Sequence, residues 1–213
     1  MFMKHLFLTS QVQYVAASIG SKISEDIKQK SVFITTPLSG KPGSDLSWHY
    51  ENLKQMQNHG FHFDMYDIAG KSEADITHDL SKYLCVYVEG GSSPYLLQES
   101  QKNNFGDYVK ERVETGMTYI STSGGSIIAG PELPPYTRDG RFVQPPLSNY
   151  VGYNLVNFTV VPHWGSEDFR KKYLGGRIEK IYSEQMPPFI LLSDHQYVEV
   201  TDDWYKIVDV TKE

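Results

Sequence analysis

The feature that most constrains this chain is the regular return of short apolar bursts, separated by stretches whose apolar residues recur every three or four positions. The bursts occupy 6–8, 32–35, 61–66, 84–88, 118–120, 158–161 and 189–192, with two more around Val198 and Ile207. Continuous apolar runs of this length suit strands buried on both faces, and the helical spacing between them suits crossover helices. The pattern predicts an α/β fold: a mostly parallel sheet with helices on both faces.

The intervening segments carry their own signals. Val12, Val15, Ile19, Ile23 and Ile27 make one apolar stripe. Leu46, Tyr50, Leu53 and Met56 share a face of a second helix, with Ser44 or Asp45 placed to cap its start and Gly60 to stop it. Val109 and Val113 face away from Tyr108, Arg112 and Thr115 in another, and Phe169, Tyr173, Ile178 and Ile181 form the apolar side of a later one. The stretch 131–153, rich in Pro, Gly, Tyr and Asn, has no period and reads as a long loop of the kind that often carries function.

A length of 213 residues is within what one α/β core can use, and no repeat, low-complexity tract or linker divides it, so a single domain over 1–213 is expected. With 39% hydrophobic and 22% charged residues, disorder and coiled coil are excluded. A net charge of -6 without long runs of one sign speaks against a nucleic-acid partner and leaves a small polar substrate open. The lone Cys85 cannot form an intramolecular disulfide, which fits the cytoplasm. Leu6, Phe7 and Leu8 before Thr9 and Ser10 are too few for a signal-peptide core or a membrane span, so no membrane partner is expected. Nothing in the sequence bears on the oligomeric state.

In open α/β sheets ligands bind beyond the carboxyl ends of the strands, so the residues just after each burst are the ones to inspect. Glu89-Gly90-Gly91-Ser92-Ser93 follows the fourth, Ser123-Gly124-Gly125 the fifth, His163 the sixth and Asp194 the seventh. Tyr119 to Gly125 runs from strand to glycines and on to Ile127, Ile128 and Ala129, a strand-turn-helix near the G-x-S-x-G pattern with Ser121 at the first position. A serine on such a bend exposes its hydroxyl. His163 is the candidate base for Ser123, Asp194 the group that would orient its imidazole, and Gly90, Gly91 and Gly124 supply candidate backbone donors for an oxyanion. Read by themselves, the same glycines also suit a non-catalytic module that binds an anion or nucleotide at two helix N-termini, with Pro94 at a first helical position.

Three separated segments resemble the peptidase E (aspartyl dipeptidase) family of serine peptidases, which also includes cyanophycinase. Val88-Glu89-Gly90-Gly91-Ser92-Ser93-Pro94-Tyr95-Leu96-Leu97 is similar to the family's Gly-Gly-Asn-Thr strand end and Leu-Leu helix. Tyr119 to Ser126 is similar to Tyr-x-Gly-x-Ser-Ala-Gly-Ala, and Asn154 to His163 to the approach to the family's Pro-His motif. The resemblance implies a flavodoxin-like, class I glutamine-amidotransferase-like fold and hydrolysis of short peptides through an acyl-enzyme on Ser123, with His163 and Asp194 completing the triad and neither metal nor cofactor. Ser121 stands for a Gly, Gly124 and Ser126 for Ala, and Ser92-Ser93 for Asn-Thr. The family prefers an N-terminal aspartate, through pocket residues that the motifs do not place; Arg138 and Arg141 in the long loop could pair with a substrate carboxylate or serve as solvated surface groups.

Two other hydrolase chemistries fit less well. A thiol hydrolase would need Cys85, which sits inside an apolar strand. A metal hydrolase on His59 and His62 would lack a carboxylate-histidine cluster at ligand spacing.

Overall fold

The computed structural model describes residues 3–39, 45–138 and 147–212. Five strands run parallel in the order β3 (Phe63–Tyr66), β2 (Ser31–Ile34), β4 (Cys85–Val88), β5 (Thr118–Thr122) and β1 (His5–Thr9), numbered along the chain. Beyond β1 the sheet is extended by the antiparallel β8 (Gln196–Thr201) and β9 (Trp204–Asp209). The fold is thus α/β with a mostly parallel sheet, and β5 lies between β4 and β1.

The bursts at 158–161 and 189–192 do not enter this sheet. They form β6 (Thr159–Val161) and β7 (Phe189–Leu191), a separate parallel ribbon in register from Thr159 opposite Phe189 to Val161 opposite Leu191. Both sides of β1 are already paired, one by β5 and the other by β8, so the ribbon docks beside the sheet rather than within it.

Side chains alternate across the sheet, as a period of two requires. Leu6, Leu8, Val32, Ile34, Val86, Val88 and Tyr119 join one apolar cluster, while Phe7, Phe33, Cys85, Tyr87 and Ile120 join the other. The first cluster is covered by α5 (Glu73–Leu80), α6 (Ser93–Asn103), α7 (Phe105–Glu114) and α8 (Gly124–Ile128), through residues such as Ile76, Leu96, Val109 and Ile128. The second is covered by α1 (Val12–Lys22) and by Met56 of α4 (Ser47–Asn58). Each Leu or Phe fully buried in these layers is worth about 1.5–3 kcal/mol over leaving it exposed. Among the described residues, no helix is long and apolar enough to cross a membrane.

Three segments differ from the sequence reading. The stripe from Val12 to Ile27 is broken between α1 and α2 (Glu25–Gln29), with Ile23 extended at φ -111° and ψ 132°. Ser24 in extended geometry, followed by Glu25 and Asp26, starts a fresh helix, because acidic residues favour a first turn. In α4, Tyr50 is 65% exposed, while His49, Asn52 and Met56 turn inward. Polar residues face the core there because the carboxylate of Glu89 receives them. Asp45 Oδ1 accepts the Ser47 N–H at 2.8 Å, and Gly60 with φ 90° ends the segment; Ser44 lies outside the described residues. The helix expected from Phe169 to Ile181 is α9 (Glu167–Lys172), a π turn (Tyr173–Arg177) and α10 (Ile178–Ile181), interrupted at Gly175 and Gly176. A short helix, α3 (Thr36–Ser39), follows β2.

Candidate active site

The site forms where β1, β4 and β5 end side by side, which brings Ser10, the Glu89-Gly90-Gly91 turn and Ser123 together. Ser123 occupies the turn into α8 with φ 47° and ψ -109°. A non-glycine residue in that region stores about 1–3 kcal/mol of strain and is kept there only by its surroundings. Here the Ser123 N–H is held by the Thr9 and Ser10 carbonyls at 3.0 and 3.2 Å. Close approach of α8 to β4 requires Gly125, where a Cβ would sit 2.3 Å from the Val88 carbonyl oxygen.

The ribbon β6–β7 delivers the other two residues. His163 follows β6 and Asp194 follows β7, and the structure places His163 against Ser123 and Asp194 against His163. His163 Nε2 lies 2.9 Å from Ser123 Oγ, and His163 Nδ1 lies 2.7 Å from Asp194 Oδ1. With Nδ1–H donating to the carboxylate, Nε2 is left to accept the Ser123 hydroxyl proton. Phe169 stacks on the imidazole at 4.2 Å between centroids, with 23° between planes. Burial pulls the Asp194 carboxyl upward, but the hydrogen bond and charge of His163 and the Ser10 hydroxyl outweigh it and leave the group below its usual value.

Ser10 was not singled out from sequence, although it also follows a burst. Its hydroxyl donates to Asp194 Oδ1 at 2.7 Å and accepts the His163 N–H at 2.6 Å. Together with its carbonyl on Ser123, one fully buried serine contacts all three residues.

The three backbone donors expected from the glycines do not behave alike. The Gly90 N–H is directed at Glu89 Oε1, 2.7 Å away, and is engaged there instead of facing an oxyanion. Gly91 has φ 129°, and a Cβ on it would meet the Pro37 carbonyl oxygen at 2.5 Å. Its nitrogen lies 3.3 Å from where a Cβ on Gly124 would be, so the Gly91 and Gly124 amides are neighbours. As the first residue of α8, Gly124 has no intrahelical acceptor for its N–H.

Ser123, His163, Gly91 and Gly124 line a cavity of about 390 Å³ whose wall also includes Trp48, Tyr136, Phe169, Tyr173 and Arg177. Arg177 is largely buried, its guanidinium 5.5 Å from the centroid of Tyr136 and 5.3 Å from that of Tyr173. From the sequence, Arg138 and Arg141 are either partners for a substrate carboxylate or solvated surface groups. Arg138 closes a 3-10 turn (Pro135–Arg138) whose Tyr136 and Thr137 reach the cavity, and Arg141 lies outside the described residues. Ser92 caps α6 by accepting the Tyr95 N–H at 3.2 Å, and Ser93 Oγ donates to the Gly124 carbonyl at 3.1 Å, tying the two glycine turns together.

The residues of the other hydrolase chemistries lie elsewhere. Cys85 is buried in β4 and burial pushes its thiol up to about 12, far from a usable thiolate. His59 and His62 precede β3, at the amino ends of the parallel strands, opposite Ser123. Among the described residues, no three His, Cys, Asp or Glu side chains are grouped to hold a metal ion.

Comparison with known proteins places these elements in a wider setting. The model of peptidase family S51 matches residues 7–208. The chain is 30% identical over 172 residues to an uncharacterized peptidase of Listeria monocytogenes, covering 79% of this chain and 82% of that one. It is 28% identical over 205 residues to an uncharacterized peptidase of Pasteurella multocida, covering 94% and 95%. A peptidase E of a Shewanella species is 30% identical over 81 residues, 38% of this chain and 33% of that protein. Among solved structures, a Listeria monocytogenes protein provisionally named peptidase E aligns with a TM-score of 0.80 at 25% identity, over 97% of this chain and 98% of that one. A peptidase from an acI-B1 Actinobacterium shares the fold, with a TM-score of 0.73 at 14% identity over 97% and 88%.

Proposed function

Because the chain belongs to peptidase family S51, we propose that this peptidase acts by a serine mechanism, cleaving short peptides through an acyl-enzyme on Ser123. The observation that carries this reading is the unbroken line from Asp194 through His163 to Ser123, ending on a strained turn in the cavity wall. His163 Nε2 takes the hydroxyl proton as Ser123 Oγ attacks the scissile carbonyl, and the imidazolium is stabilised by the Asp194 carboxylate. The Gly91 and Gly124 N–H groups receive the oxyanion, and His163 then gives its proton to the leaving amine. Water repeats the sequence on the acyl-enzyme, with His163 as base and Ser123 as leaving group.

The cavity's size, about 390 Å³, is at the small end for ligand pockets and favours a short substrate. Dipeptides with N-terminal aspartate are the finer reading, supported by the guanidinium of Arg177 in the wall, whose planar fork matches a carboxylate. The match over 7–208 supports treating 1–213 as one peptidase E-like domain, and the lone Cys85 supports the cytoplasm as its place of work.

Substitution Ser123→Ala is expected to lower turnover by at least about 10⁴-fold on any dipeptide the wild type cleaves, since loss of a triad nucleophile removes the covalent route. A fluorophosphonate should label Ser123 in the wild type, read by mass mapping. Unchanged hydrolysis by the variant would overturn the mechanism, and an Asp-Leu substrate cleaved no faster than Ala-Leu would remove the aspartate preference.

A further inference from the structure

Directly beneath the glycine turn lies a buried polar cluster around one carboxylate that the mechanism above leaves unused. Glu89, fully buried at the end of β4, receives four donors. Oε1 accepts the Gly90 N–H at 2.7 Å, Asn52 Nδ2 at 3.2 Å and the Tyr87 hydroxyl at 3.3 Å; Oε2 faces His49 Nδ1 at 3.0 Å. A carboxylate is acceptor-only, and this set engages both of its oxygens, with three donors on Oε1 and one on Oε2. Burying such a group without these partners would be costly, and each donor left behind would be an unpaired buried polar group. Burial pushes the Glu89 carboxyl upward, opposed by His49, the Gly90 N–H and Asn52.

We infer that Glu89 is a positioning residue for the oxyanion turn, fixing the peptide plane before Gly91 so that the Gly91 N–H points into the cavity; this rests on the serine mechanism proposed above. The peptide carrying the Gly91 N–H lies between two anchored neighbours. Upstream, the Gly90 N–H is tied to Glu89. Downstream, the Ser92 N–H donates to the Pro37 carbonyl at 2.9 Å. Gly91 itself has no side chain and φ 129°, so without both ties its peptide is free to rotate. His49 and Asn52 extend the upstream tie to α4, whose Trp48 and Asn52 line the same cavity. The inward turn of α4 is the structural counterpart of this role. A preorganised donor is effective because it does not have to reorient during reaction.

The test compares Glu89→Gln, Glu89→Asp and Glu89→Leu with the wild type by the rate of Ser123 phosphonylation with a fluorophosphonate, resolved into the binding constant and the maximal rate. Gln keeps the length and an acceptor for the Gly90 N–H, and His49 can change tautomer to accept from its amide. Asp keeps the charge but is one methylene short of the Gly90 N–H. Leu removes the tie. The expected order of maximal rates is wild type, then Glu89→Gln within about tenfold, with Glu89→Asp and Glu89→Leu slower by about 10²-fold or more and the binding constant unchanged, the scale of losing one oxyanion donor. Rescue by Gln distinguishes positioning from a requirement for charge, and the split between rate and binding distinguishes it from a loss of pocket structure. Should Glu89→Leu fail to fold, the Gln and Asp variants decide the matter between them. Wild-type rates in Glu89→Asp, or Glu89→Gln as slow as Glu89→Asp, would overturn the inference. Absence of labelling at Ser123 in the wild type would instead overturn the serine mechanism.

Discussion

At the scale of single residues, the most telling contact is that of Ser10, whose hydroxyl and carbonyl together reach Asp194, the His163 backbone and the Ser123 N–H. A hydrogen bond to a charged group is worth about 1.5–3 kcal/mol, which in a barrier corresponds to about 10–100-fold in rate. Ser10→Ala is therefore expected to lower kcat by about 10–100-fold on a cleaved dipeptide with a smaller effect on KM, because the Ser10 hydroxyl, although in the cavity wall, is engaged by Asp194 and the His163 N–H and orients the proton-transfer line. Steady-state kinetics check this, and an unaltered kcat would show that Asp194 and His163 hold their places without it. Ser123 and His163 stand out in the sequence through their motifs and Asp194 only through its place after the seventh burst and the family resemblance, but a serine at a strand end is unremarkable there. Its partners are 153 and 184 positions away, a relation only the folded chain expresses. Two departures from the peptidase E pattern are explained together at this scale. Ser121 and Ser126, which replace small residues, bond each other at 2.9 Å, and Ser126 Oγ donates at 2.7 Å to the Thr9 carbonyl, the same oxygen that receives the Ser123 N–H. The extra hydroxyls satisfy one another in a buried elbow and leave the nucleophile's turn in place.

At the scale of elements, the elbow depends on how closely α8 lies on β4. A Cβ at Gly125 would fall 2.3 Å from the Val88 carbonyl oxygen and 3.0 Å from that of Glu89, and backbone cannot swing aside as a side chain can. Gly125→Ala is expected to destabilise the protein by about 1–3 kcal/mol or more, the range of overpacking, and to lose fluorophosphonate labelling even where it remains folded. Gly175→Ala is the control, since a Cβ there meets nothing within 4 Å and its φ of -91° is ordinary. Urea unfolding of both variants reads the difference, and equal midpoints would refute the packing argument. The central strands β1, β2 and β4 were legible in the sequence because their apolar bursts are unbroken, whereas helix faces were less so. In α4 the inward residues are His49 and Asn52 rather than Tyr50, since Glu89 makes a polar interior favourable. Hydrophobic spacing has no means of registering a buried carboxylate contributed by another element. Similarly, Gly175 and Gly176 break a helix whose apolar spacing continues through them, which is why Tyr173 and Ile181 remain buried on either side.

At the scale of the whole molecule, sequence order gave the parallel sheet but not the partition between it and the ribbon. The bursts at β6 and β7 look like the others, yet β8 pairs with β1 and displaces them to a second layer, from which His163 and Asp194 reach across to Ser123. The ribbon packs on the sheet through apolar residues such as Val160, Val161, Ile190 and Leu192, and Asp194 adds an ionisable contact to Ser10 at the end of β1, so the stability of the molecule should depend on pH accordingly. The Asp194 carboxyl is held below its ordinary value of 3.8 in the folded state. Its contribution to stability is then fully present above pH 3.8 and is lost as the pH falls through the lower folded value. Glu89 acts with the opposite sign: raised from 4.5 by burial, it favours the folded state most at pH below 4.5 and less as the pH rises through the folded value. Substituting Asp194→Asn removes the first dependence and leaves the second. Denaturant unfolding of wild type and Asp194→Asn between pH 3 and pH 7 is therefore expected to show the wild type more stable near neutrality, with the gap narrowing as the solution is acidified below about pH 4, where an unfolded carboxylate begins to protonate. A gap that stays constant across the range would mean that the Asp194 charge does not contribute to stability through its bonds to His163 and Ser10.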